Sequence, residues 1–203
     1  MSFYQEITLI DHVEISPYFI WSKVYGQLHI AFVEHKNSEN KVPFGVAFPE
    51  YFYDEAKKKG SLGKKIRIFA PTKEALEVLN INLWLVRLLD YVHIQSIKEV
   101  PKNVSQYAIY RRKQMKGANR VQKEIENYAA EHAKRNNVSL AEATKLYQHM
   151  TVRETHLPFI QMLSLTSDQR FKLFIEKQMV NEKLSGCLFT TYGLSASACV
   201  PEF

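Results

Sequence analysis

The side chains able to do chemistry in this chain are few and scattered. Its seven histidines (His12, His29, His35, His93, His132, His149, His156) form no His-x-x-x-His pair, no His-Glu-x-x-His and no His–Cys cluster, so the spacing that holds zinc is missing. The seven glycines make no Gly-x-x-x-x-Gly-Lys-Ser/Thr loop, and no Gly-x-Ser-x-Gly elbow occurs, which removes the usual phosphate cradle and the usual serine hydrolase turn. Isolated histidines, serines and tyrosines still suffice for metal-free RNA cleavage. There the 2′-hydroxyl attacks the adjacent phosphate, a base takes its proton and an acid protonates the leaving 5′-oxygen. Histidine suits both roles because it titrates near neutrality. RNA brings its own nucleophile, so neither metal nor cofactor is expected.

Charge points to the same class of partner. Pro101 to Arg135 holds nine basic residues (Lys102, Arg111, Arg112, Lys113, Lys116, Arg120, Lys123, Lys134, Arg135) against three acidic ones (Glu124, Glu126, Glu131), an excess of +6 that equals the formal charge of the whole chain. A near-neutral body with one concentrated basic segment suits a polyanion, most commonly nucleic acid. The 203 residues, 46% hydrophobic and 24% charged, are enough for one large or two small cores, and the balance is that of a folded protein. Two cysteines, Cys187 and Cys199, build no disulfide framework, so a reducing compartment is expected. The start MSFYQEITLI has no features of a signal peptide and no apolar run could span a bilayer, which makes the expected location cytoplasmic, away from membranes.

These residues need a scaffold, and the hydrophobic pattern outlines one. Phe3 to Ile10 reads as a strand. Pro17 then opens a helix to about residue 34, whose buried stripe is Ile20, Val24, Leu28 and Phe32. Phe44 to Phe48 and Ile66 to Phe69 read as strands, with a charged loop, Asp54 to Lys65, between them. Thr72 caps a helix that runs on through the apolar Leu83 to Leu89 with a break near Asn80, and Val92 to Val100 reads as a strand. The order strand, helix, strand, strand, helix, strand is that of a ferredoxin-like, split-βαβ domain, here residues 1–100 of an α+β protein. Pro101 opens a second domain, residues 101–203. In it Tyr107 to Met115 reads as extended, and Gly117 to Asn119 as a turn with Asn119 as the cap. A helix from Arg120 to Arg135 has Arg120, Lys123, Asn127 and Lys134 on one side and Val121, Ile125, Tyr128 and His132 on the other. Ser139 to Glu142 is a capping box, three strands follow (Phe159 to Thr166, Phe171 to Glu176, Cys187 to Tyr192), and the tail LSASACVPEF reads as irregular.

In these segments the chain resembles a known family, the CRISPR repeat-processing endoribonucleases of type I-F systems. The resemblance rests on GQLHIAF (Gly26 to Phe32), GVAFP (Gly45 to Pro49), YRRKQ (Tyr110 to Gln114), LPFIQMLSLTSDQRFKLFI (Leu157 to Ile175) and FTTYGLS (Phe189 to Ser195), in that order. It implies a ferredoxin-like N-terminal domain and a C-terminal domain whose basic helix lies in the groove of a repeat hairpin. It also implies cleavage at the 3′ base of that hairpin without metal, leaving a 2′,3′-cyclic phosphate. The enzyme is expected to keep its product, the mature guide RNA, as a subunit of a surveillance complex with other CRISPR-associated proteins.

The resemblance also implies roles. His29 is the acid–base histidine; from the residues alone it reads as a surface histidine beside the core position Leu28. Ser164, otherwise an ordinary strand serine, holds the attacking 2′-hydroxyl. Tyr192, otherwise a half-buried aromatic, orients the histidine or the substrate. Arg112 and Gln114, two apart on an extended segment, point the same way, and such a pair can read guanine and adenine edges near the end of a short hairpin; they could equally be two solvated residues. Phe171 stacks on the terminal base pair, although Phe171, Leu173 and Ile175 also alternate as a buried face. Lys116, Arg120 and Lys123 supply phosphate contacts.

The chain departs from the family at the basic helix. A dense arginine stripe is replaced by Arg120, Lys123, Lys134 and Arg135 interspersed with glutamates, and lysine lacks the arginine fork for phosphate. A few extra residues also fall between Gln114 and Ser139, and Lys134 and Arg135 read equally well as a solvated face. Two rivals remain at this level: a hairpin-RNA-binding subunit that does not cut, and a basic DNA-binding or ribosome-associated protein.

Overall fold

The computed structural model describes all of residues 1–203 except 151–154, 165, 166 and 185, and the side chain of residue 118. It is a mixed α/β protein of antiparallel sheets and helices, falling into two units: residues 1–113 with 156–203, and residues 114–155. The position between residues 100 and 101 lies inside the first of them.

In the first unit, strand β1 (Phe3–Leu9) leads to helix α1 (Pro17–Glu34), which begins where the sequence places it. Ser16 accepts a bond from the Tyr18 amide and Pro17 takes the first helical position, where its missing N–H costs nothing. The stripe Ile20, Val24, Leu28 and Phe32 is buried, widened by Trp21, Tyr25 and Ala31. Strands β2 (Lys41–Val42) and β3 (Gly45–Ala47) follow. The charged stretch expected as a loop instead forms a hairpin, β4 (Phe52–Asp54) with β5 (Lys59–Ser61). Its tight turn, with Lys58 at φ +52, carries the charges outward. Strand β6 (Lys65–Ala70) precedes α2 (Lys73–Leu79), capped by the Thr72 hydroxyl. Asn80, at φ +45, ends α2 at the expected break, and α3 (Ile81–Trp84) and a short 3₁₀ turn (Val86–Leu88) continue the chain. The single strand expected from Val92 to Val100 is two, β7 (Val92–Ile94) and β8 (Lys98–Glu99).

The first sheet has the order β3-β6-β1-β7, all antiparallel, with β8 also pairing with β1; α1 and α2 both pack against β1. The second sheet uses β9 (Gln106–Lys113), β10 (Phe159–Leu163), β11 (Arg170–Val180) and β13 (Val200–Glu202), in the order β10-β11-β9-β13. Strand β13 lies in the tail that reads as irregular. Its short run VPE has too little alternation to be seen, and pairing with β9 makes it a strand. The end of the run Phe159 to Thr166 lies outside the described residues. Strand β12 (Phe189–Thr190) pairs with β2. Ala108, Tyr110, Ile160, Met162, Leu173, Ile175 and Val200 join the α1 stripe and the first sheet in one core.

The second unit is a helical hairpin of α4 (Ala118–Asn136) and α5 (Leu140–Tyr147). Gly117, not Asn119, is the N-cap, and no side chain caps this end. The buried stripe is Val121, Ile125 and Ala129, while Tyr128, expected among them, is 46% exposed. Strict spacing of four selects Ala129 and turns Tyr128 to the edge, where its ring lies 5.8 Å from that of Tyr147. The capping box at Ser139 and Glu142 forms as the sequence requires.

One contact ties β3 to the segments that frame the site. A methyl group on Gly45 would stand 2.6 Å from both the Phe189 ring and Val200. Gly45→Ala is therefore expected to cost about 1–3 kcal/mol through overpacking, read as a lower thermal midpoint.

Candidate active site

Helix pitch and one short turn build the centre of the site. Leu28 is fully buried, and His29, 100° further round α1, sits half-buried at the edge of the core. Four residues earlier on the same side, Tyr25 points its hydroxyl the same way. These two side chains grip successive carbonyls: Tyr25 Oη donates to the Tyr192 oxygen at 2.8 Å, and His29 Nδ1 meets the Thr191 oxygen at 2.8 Å. The gripped segment is a tight turn after β12. The Gly193 amide donates to the Thr190 oxygen at 2.7 Å, and both the amide and the hydroxyl of Thr190 donate to the Leu194 oxygen, at 2.8 and 2.9 Å. Gly193 has φ +69, and a Cβ there would lie 2.6 Å from Val46, so only glycine fits without strain. The Val46 amide in turn donates to the Gly193 oxygen at 3.0 Å.

The carbonyl of Thr191 can only accept, so His29 Nδ1 must carry the hydrogen. In the neutral ring Nε2 then holds the lone pair. The imidazole lies flat on the Tyr192 ring, centroids 4.1 Å apart and planes 5° from parallel. Burial lowers the His29 pKa below its ordinary 6.5, with the Thr191 bond opposing the shift, so the ring is mostly neutral at pH 7. Burial raises the Tyr192 pKa against the pull of Arg112, and the phenol stays protonated. Nε2 is thus a base at neutral pH, held in one orientation by a ring face and a carbonyl.

The strand period of β9 sorts its cationic run. Arg111 and Lys113 turn to Glu176, at 2.6 and 3.9 Å. Arg112, opposite Ile175 in the register, turns to the other face. Its guanidinium lies 5.2 Å from the Phe171 ring centre and 5.8 Å from that of Tyr192, both within cation–π range. Phe171 is only partly buried and borders the core. His29, Tyr192, Arg112 and Phe171 therefore form one continuous series of contacts. Ser164 follows the end of β10, two residues past Met162, which pairs with Phe171. It opens the β10–β11 connection: its amide donates to the Gln169 oxygen at 2.9 Å, and its hydroxyl accepts from the Ser167 amide at 3.3 Å. It is a turn residue, and the local bonds hold it.

The remaining nominated residues belong to the second unit. Strand β9 ends at Lys113, so the period that orients Arg112 does not extend to Gln114, which is exposed. Lys116 and Arg120 share one carboxylate, Glu124, at 2.6 and 3.6 Å. The Lys116 hydrogen bond leads the effects that hold the Glu124 pKa below the usual carboxylate range. Lys123, Lys134 and Arg135 are exposed; the last two sit in the final turn of α4, where cations suit the helix dipole. Sequence reasoning missed Tyr25, Thr191 and Glu124. Tyr25 was within reach, being one helical turn before His29. Thr191 acts through its backbone oxygen, and no side-chain pattern announces that.

The stack defines a histidine-centred site on a mixed α/β scaffold. Comparison with known proteins names the family. Residues 4–203 match the family described as CRISPR-associated protein (Cas_Csy4), and the chain belongs to it. A curated relative from Pseudomonas aeruginosa (strain UCBPP-PA14), "CRISPR-associated endonuclease Cas6/Csy4", is 28% identical over 203 residues, covering 100% of both chains. A relative of the same name from Escherichia coli (strain UTI89 / UPEC) is 26% identical over 204 residues, again covering 100% of both. Two solved structures are only weakly similar. "CRISPR associated protein Cas6" has TM-score 0.33 at 12% identity, covering 100% of this chain and 99% of the other. "An RAMP protein binding different RNA substrates" has TM-score 0.37 at 9% identity, covering 100% of both.

Two outcomes follow from this geometry. In an NMR titration the His29 ring should show its midpoint below 6.5, and Tyr192→Ala should move it upward by admitting water to the ring face. Glu124→Gln should release Lys116 and Arg120 from their shared carboxylate. RNA binding measured by filter retention at low salt should then tighten by about threefold to tenfold, with a steeper salt dependence.

Proposed function

We propose that this chain is a metal-independent endoribonuclease that cleaves the CRISPR precursor transcript at the 3′ base of the repeat hairpin and keeps the mature guide RNA. The names of its relatives support the endonuclease class, and the His29 stack carries the chemistry. In the proposed reaction His29 Nε2 removes the proton from the 2′-hydroxyl, whose oxygen attacks the neighbouring phosphorus. The P–O5′ bond breaks, leaving a 2′,3′-cyclic phosphate, and the departing 5′-oxygen takes a proton from water to become the 5′-hydroxyl, while the proton held on His29 returns to solvent. Its lowered pKa favours His29 as the base. The Tyr192 ring and the Thr191 carbonyl restrict the imidazole to one approach, so much of the acceleration comes from orientation.

Ser164 would hold the attacking hydroxyl. Arg112 would read a guanine edge, leaving Phe171 free to stack on the terminal base pair, and Gln114 would read the next pair. Lys116, Arg120 and Lys123 would meet phosphates. In this reading β1, α1, β3, β6, α2 and β7 make a ferredoxin-like domain within residues 1–100, supported by the strand order β3-β6-β1-β7. Residues 101–203 recognise the RNA. The protein would work in the cytoplasm as a subunit of a type I-F surveillance complex.

The test incubates the repeat RNA with purified protein in excess EDTA, beside His29→Ala and a substrate deoxygenated at the 2′-position before the cut. One cut bearing a cyclic phosphate is expected, slowed by about 10²–10⁴ in His29→Ala with binding retained, and absent from the deoxy substrate. The rate should be flat from pH 7 to 8, with any loss on the acid side below 6.5, as a base requires. Tight binding without a cut would leave an RNA-holding subunit, and no binding would end the reading.

A further inference from the structure

The apolar run Leu83 to Leu89 is used oddly by the fold. Only Leu85 in it is fully buried, while Leu83, Val86 and Leu89 are 65%, 57% and 47% exposed. Beside it the first turn of α1 presents Tyr18 and Phe19, 70% and 55% exposed. Between the two runs a concave surface. One part, of about 550 Å³, is lined by Lys23, Gln27, Leu83, Trp84, Val86, Arg87 and Leu88. A smaller part, of about 70 Å³, continues it through Lys23 and Leu88 to Ile15, Phe19, Ile20 and Tyr91. Clustered exposed apolar side chains of this kind mark interaction sites, and none of these residues belongs to the site around His29.

We propose that this groove is a docking site for a helical segment of another protein, apolar on one face and carrying carboxylates along its edges. Charge selects the occupant. Lys23 and Arg87 are the charged side chains lining the groove, and neither has an ion-pair partner among the described residues. Lys23, shared by both parts, holds its Nζ 5.2 Å from the Phe19 ring centre. Glu14 and Asp90 are nearby in sequence but line neither part. A second copy of this chain on a two-fold axis would bring the same cations toward each other. A groove between two helical elements takes the ridge of a third helix. This surface is independent of the nuclease reading.

The test uses the full-length protein in its native cells, with a benzophenone amino acid at Phe19 or Leu83, and at exposed Met179 on β11 as control. Cross-linking at Phe19 and Leu83, but not at Met179, should capture one protein, and sequencing the adduct should locate a helical segment rich in carboxylates. Lys23→Glu with Arg87→Glu should reduce capture about tenfold or more, and exchanging the segment's carboxylates for lysine should restore it. The doubly substituted protein, purified, should cut repeat RNA at the wild-type rate. A loss of cutting in wild type would bear on the nuclease reading alone. An adduct between two copies of this chain overturns the docking proposal, as does equal capture at Met179 or no capture. So does charge-dependent binding of the purified protein to vesicles of phosphatidylcholine and phosphatidylserine.

Discussion

The bond between His29 Nδ1 and the Thr191 carbonyl, 2.8 Å long and closed across 162 residues of chain, is the constraint on which the site depends. It decides the tautomer, and with it which nitrogen is free. It needs α1 to be helical, because Tyr25 and His29 must project together onto neighbouring carbonyls. It needs the turn after β12, and therefore a glycine at 193 that can take φ +69 beside Val46. The Tyr192 ring completes the arrangement by covering one face of the imidazole. Burial of the ring also depresses its pKa, while the Thr191 bond that fixes its position opposes that shift.

The basic residues divide into those already paired and those held against rings. Glu176 takes Arg111 and Lys113, and Glu124 takes Lys116 and Arg120. Exposed pairs of this kind contribute little to stability, and a polyanion can displace them. Arg112 differs: the rings of Phe171 and Tyr192 are its neighbours, and it lies one contact from the histidine stack. A substrate that draws Arg112 to a base edge would uncover Phe171 and alter the surroundings of Tyr192 in one movement. In the proposed mechanism recognition and catalysis thus meet at a single guanidinium.

Much of the scaffold was legible because local chemistry and burial agree. Ser16 and Pro17 start α1, Thr72 starts α2 and Ser139 with Glu142 starts α5, each where the cap stands in the chain. The errors fall where partners decide. Strand β13 exists because β9 offers it a ladder, and the β4–β5 hairpin exists because Phe52–Asp54 and Lys59–Ser61 pair with each other. Asn119 looks like a cap, but α4 starts at Ala118, two residues before the expected Arg120, at an end that no side chain caps. Tyr128, expected on the buried side, is exposed and Ala129 takes that place, because the helical hairpin buries a strict row of four-spaced side chains.

Sequence by itself determined the chemical inventory: no metal-binding spacing, no phosphate loop, one basic segment, and five short motifs whose order marks the family. It also determined the starts of α1, α2 and α5, which depend on caps a few residues away. Tertiary structure alone decided what those residues do to one another. His29 has Thr191 and Tyr192 as partners, Arg112 has the rings of Phe171 and Tyr192, and Arg111 has Glu176. Each of these is a contact between distant parts of the chain. A backbone oxygen, a ring face or a groove has no signature in residue order, because its meaning comes from what folding brings against it.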